Sequence, residues 1–104
     1  MGVPTILTDP LKRRFVLHDH AWAHILKGHP EVGPYRTAVE KSISSPTEIR
    51  YSTSDTDCRL YTGPVPGRKV KIVVVADVVR GIVKTAYLAR KASGGIVEWS
   101  FPKP

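Results

Sequence analysis

The run Val70-Lys71-Ile72-Val73-Val74-Val75-Ala76-Asp77-Val78-Val79 constrains the fold more than any other stretch. Read with a period of two, it is apolar on both faces except at Lys71 and Asp77. Such a strand has to be covered from both sides, so the run predicts the centre of a sheet. Arg80-Gly81 supplies a turn, and residues 82–88 read as the returning strand of a hairpin. There Ile82, Lys84, Ala86 and Leu88 share one face, and Val83, Thr85 and Tyr87 share the other. Upstream, residues 47–52 and 58–62 are strand candidates separated by a polar turn. Arg59 and Tyr61 lie on one face of the latter. Residues 63–68 form a loop rich in Gly and Pro. Beyond Gly94-Gly95, residues 96–99 offer one more strand, and 100–104 read as a frayed end.

The first half has a different texture. Residues 1–18 read as a leading strand, with the basic run Lys12-Arg13-Arg14 before Phe15-Val16-Leu17. That run is either a solvated edge or part of a phosphate-binding surface. Next comes D-H-A-W-A-H-I-L-K-G-H-P-E-V, residues 19–32. Asp19 suits an N-cap, Gly28 a left-handed C-terminal residue, and Pro30 a stop. Ala21, Trp22, Ile25 and Leu26 form an apolar stripe, and His20, His24 and Lys27 fall opposite it. This polar face is either solvated or a general acid/base site beside an anion-binding lysine. A second helix is expected from Pro34, with Tyr35, Ala38, Val39, Ser42 and Ile43 on its inner face. Helices first and then strands joined by short turns predict an α+β fold with an antiparallel sheet.

The length, 104 residues, suits one domain with a modest core. Sixteen Lys and Arg against nine Asp and Glu give a net charge of +7. That excess favours polyanionic partners, nucleic acid before an anionic membrane surface. The longest apolar run is too short to span a bilayer. The residues M-G-V-P-T-I-L-T lack the pattern of a signal peptide. Cys58 is the single cysteine, so an internal disulfide and a cysteine zinc site are excluded, which fits a reducing compartment. With no Asn or Gln, the bidentate amide contact to adenine is unavailable.

His20 and His24 are spaced i, i+4, yet no complete metal-ligand set follows. There is no phosphate loop and no nucleophile elbow. Cys58 reads as a small core residue. What remains is metal-independent chemistry on RNA, which brings its own nucleophile, the 2′-hydroxyl. A protein need only accept that proton, donate another and stabilise phosphoryl charge. His24 and His29, Arg59 beside Tyr61, and Thr85 beside Tyr87, with Lys27 and Lys84, supply the residue types.

The segments H-I-L-K-G-H-P-E-V (24–32), P-T-E-I (46–49), L-Y-T-G (60–63), V-K-I-V-V-V (70–75) and K-T-A-Y (84–87) resemble the small phage and prophage nuclease-like domains of the barnase/EndoU/colicin/RelE superfamily. The resemblance spans roughly residues 14–99. It implies two N-terminal helices packed on an antiparallel sheet of about four strands. It also implies metal-independent RNA cleavage that leaves a 2′,3′-cyclic phosphate. The motif falls on His24, His29, Thr85 and Tyr87. Lys27-Gly28 departs from the bulkier charged pair expected before the second histidine. The reading is thus a single domain, 1–104, acting as a cytoplasmic endoribonuclease, toxin-like or phage-encoded, without a cofactor. Arg59, Lys27, Lys84 and Tyr61 would bind substrate. Two rivals are a non-catalytic nucleic-acid-binding module and a toxin-like subunit that binds an acidic antitoxin or immunity protein.

Overall fold

The computed structural model describes residues 3–91 and 94–102. Its order is β1 (Thr5–Thr8), β2 (Arg14–Leu17), α1 (Asp19–Gly28), a 3-10 helix (Pro30–Tyr35), α2 (Arg36–Ser44), β3 (Glu48–Tyr51), β4 (Cys58–Pro64), β5 (Lys71–Asp77), β6 (Ile82–Ala89) and β7 (Val97–Ser100). All strands join one seven-stranded sheet in the order β1-β2-β6-β5-β4-β3-β7. Pairing is antiparallel except between β2 and β6, so the sheet is mixed.

This corrects the expected α+β arrangement of two helices on about four antiparallel strands. Sheet predominates, and the two α-helices are short, ten and nine residues. The excess comes from both ends of the chain. The stretch read as one leading strand is a hairpin, turned at Asp9 to Arg13 with Lys12 at φ 71°. Asp9 Oδ1 accepts the backbone N–H groups of Leu11 and Arg13 and so fixes that turn. At the far edge β7 pairs with β3. Residues 103 and 104, part of the stretch read as frayed, lie outside the described residues.

The sheet is curled into a half-barrel. Its two edges are far apart in strand order, yet Arg13 of the first hairpin bonds Glu98 of the last strand. The curl encloses the core. Phe15, Leu17, Ile49, Tyr61, Ile72, Val74, Ala76, Val83 and Ala86 meet Ile25, Val39 and Ile43 of the helices there. Close approach of α2 to β4 depends on Gly63, because a Cβ there would stand 2.3 Å from Ser42 Oγ.

Helix termini differ from the expectation. His18, not Asp19, precedes the first turn of α1, and it makes no side-chain capping bond. Gly28 closes the helix without a positive φ, and His29 takes the C-cap position with φ −137°. The second helix begins as a 3-10 turn because Pro30 and Pro34 cannot donate backbone hydrogen bonds.

Two bulges set the side-chain directions. In β6, Val75 faces Thr85 while Ala76 faces Val83, which leaves Lys84 as the extra residue. Val83 therefore joins Ala86 and Leu88 toward the core, a correction to the strict alternation read from sequence. Thr85 and Tyr87 lie on the opposite face. In β7, Ile49 faces Trp99 while Arg50 faces Val97, so Glu98 is the extra residue there.

Candidate active site

His29 sits where α1 gives way to the 3-10 helix. Its backbone N–H donates to Ile25 O at 2.7 Å, which holds the residue at the helix end. Its ring lies 5.8 Å from the Tyr87 ring, centroid to centroid, at 39°. Its Nδ1 lies 3.4 Å from Glu31 Oε2. The carboxylate thus faces Nδ1 of the ring. Both side chains are roughly two-fifths exposed, so solvent and ligand can reach them.

β6 positions the partner. Tyr87 is opposite Val73, and Thr85 is opposite Val75, two residues along on the same face. Both are partly exposed. Thus the structure brings His29, Glu31 and Tyr87 together, with Thr85 adjacent on the strand. Glu31 was missed as a site residue; its signal was the H-P-E sequence, which returns a carboxylate to the histidine across a proline turn.

His24 is exposed on α1, more than one turn before His29, and Lys27 is exposed on the same helix. His18 and His20 stack on each other with centroids 5.1 Å apart. Lys84, pushed outward by its bulge, stands 3.9 Å from Asp55 Oδ2. Among the described residues, no three His, Cys, Asp or Glu side chains converge as metal ligands. Cys58 is buried, and burial together with Asp55 pushes its thiol up, so it stays protonated.

Arg59 and Tyr61, expected to bind substrate, lie in a different cluster from His29 and Tyr87. Tyr61 is fully buried. Its hydroxyl donates to Asp9 Oδ2 at 2.6 Å, and Arg13 Nη2 donates to it at 3.3 Å. Burial, reinforced by the Asp9 bond, holds its phenol far above the ordinary range. Arg59 Nε donates to Glu98 Oε2 at 3.1 Å, and its guanidinium stacks 4.2 Å over Tyr51. Arg13 closes the set with a bidentate grip on Glu98, at 2.6 and 3.0 Å, and a 2.8 Å bond to Asp9. These five side chains are partners of one another, which leaves Arg59 and Tyr61 committed to the fold.

No family model, no curated protein and no solved structure matches this chain. Among the described residues, no helix is long and apolar enough to cross a membrane.

Proposed function

We propose that this protein is an endoribonuclease that cleaves RNA without a metal at the His29–Tyr87 pair. The observation that carries the reading is the approach of the His29 ring to Tyr87 with Glu31 at Nδ1. His29 Nε2 accepts the proton of a ribose 2′-hydroxyl. The 2′ oxygen then bonds to the adjacent phosphorus as the bond from phosphorus to the 5′ oxygen breaks. Tyr87 donates a proton to the departing 5′ oxygen. The products are a 2′,3′-cyclic phosphate and a 5′-hydroxyl. The Thr85 hydroxyl orients the phosphate, and the net charge of +7 draws the polyanion to the surface. Action in the cytoplasm goes with this reading, where a lone cysteine stays reduced.

The test uses a labelled single-stranded RNA and three variants. His29→Ala is expected to lower cleavage about a hundredfold or more, the usual scale for losing an acid or base. Tyr87→Phe lowers it as well while the melting temperature barely moves. His24→Ala has the smaller effect; if it proves the larger of the two histidine effects, the base is His24 and the pair is misassigned. Excess EDTA leaves cleavage intact. RNA that stays whole with the unaltered protein would overturn the reading.

A further inference from the structure

Six of the nine acidic residues are paired with arginines. Asp9 and Glu98 hold Arg13 and Arg59; Glu40 holds Arg36; Glu48 holds Arg50; Asp77 and Asp57 hold Arg80. The sequence has no Asp or Glu between Asp57 and Asp77, and none between Asp77 and Glu98. Arg68, Lys69, Lys71, Arg90 and Lys91 all fall in those two acid-free intervals. All five are exposed, and among the described residues none enters an ion pair.

Strand register gathers them at one end of the sheet. Lys71 pairs with Pro64 on β4 and with Ala89 on β6. The loop carrying Arg68 and Lys69 therefore lies beside Arg90 and Lys91, which follow β6 directly. A groove of about 280 Å³ opens there, lined by Thr47, Pro64, Arg68, Lys69, Val70 and Lys71. The same register ties this end to the candidate active site. Val73 is opposite Tyr87, so Lys71 is a diagonal neighbour of Tyr87 on the same face, about 7–8 Å away. Arg90 is three residues past Tyr87, about 10 Å along the chain at the rise of a strand.

We propose that this basic end of the β4–β5–β6 sheet is a docking surface for the phosphate backbone of a single-stranded nucleic acid. Unpaired cations on a strand whose next same-face neighbour across the ladder is a partly exposed aromatic ring are an arrangement that tracks a single strand. The lysines and arginines hold consecutive phosphates, and Lys71 sets the strand's position over Tyr87. Only that last point rests on the proposed cleavage; the binding itself does not.

A fluorescein-labelled oligodeoxythymidylate lacks the 2′-hydroxyl, so it reports binding without cleavage. Its anisotropy would be titrated with the unaltered protein and with the triple variant Lys69→Gln, Lys71→Gln, Arg90→Gln. A control triple variant, Lys12→Gln, Arg14→Gln, Lys41→Gln, removes the same charge from exposed sites elsewhere. The first variant is expected to bind at least tenfold more weakly at physiological salt. Its slope of log affinity against log salt should flatten by about two, at roughly 0.7 per lost contact. The control should lose less than a third of that slope. Equal losses in the two variants would mean diffuse attraction and overturn the proposal. So would binding to phosphatidylserine vesicles with none to the oligonucleotide. His29→Ala that binds normally but does not cleave supports both proposals; binding without cleavage by the unaltered protein removes the ribonuclease and keeps the docking surface.

Discussion

Thr62 Oγ1 is buried with no hydrogen-bond partner among the described residues. A buried hydroxyl in that state costs its desolvation and gains nothing in return. Thr62→Val keeps the β-branched shape favoured in a strand and deletes the hydroxyl. It is expected to stabilise the protein by about 1 kcal/mol, read as a higher denaturation midpoint with an unchanged slope. A lower midpoint would show that the hydroxyl is satisfied. Its neighbour Tyr61 makes the opposite case, because its hydroxyl donates to Asp9. Tyr61→Phe leaves a buried carboxylate oxygen with one partner fewer, and about 1–3 kcal/mol of stability should be lost.

Between elements, the closest fit is α2 on β4. Gly63→Ala would place its Cβ 2.3 Å from Ser42 Oγ and 3.1 Å from Ser42 Cβ. Overpacking of this kind costs about 1–3 kcal/mol. Adding Ser42→Ala removes the nearer atom and should recover part of that loss; full additivity of the two changes would mean the contact is not the cause. The strands around Val70–Val79 were legible in sequence because apolar runs and turn residues mark them directly. The bulges were not. One extra residue, Lys84 or Glu98, leaves composition unchanged and shifts which neighbours face the core. Of the candidate site, His29, Thr85 and Tyr87 were named from sequence as residue types, and the structure places the His29 and Tyr87 rings 5.8 Å apart. The burial of Tyr61 and the pairing of Arg59 were not, because they depend on Asp9 and Glu98 arriving from opposite ends of the chain.

At the scale of the molecule, the closing feature is the grip of Arg13 and Arg59 on Glu98. Burial alone would raise the Glu98 carboxyl, but the hydrogen bonds from Arg13 and Arg59 override it and hold it below the ordinary glutamate range. A lowered carboxyl stabilises the fold above the unfolded value, about 4.3, and that contribution is lost as pH falls through the lower folded value. Melting curves of the unaltered protein and of Glu98→Gln should therefore converge below about pH 4. Curves that keep a constant separation down to pH 3 would show that the charge of Glu98 is irrelevant to closure.

The grip also links residues 85 positions apart in sequence. A chain emerging from the ribosome exposes Arg13 and Tyr61 well before Glu98 is made. Until then Arg13 and Arg59 lack that counter-charge, and the far edge of the sheet has no β7. Closure consequently cannot precede the synthesis of Glu98, since so distant a contact waits on the whole loop between. A chain ending at residue 90, which lacks Glu98 and β7, is expected to be cut by protease far faster than the chain of 104 residues.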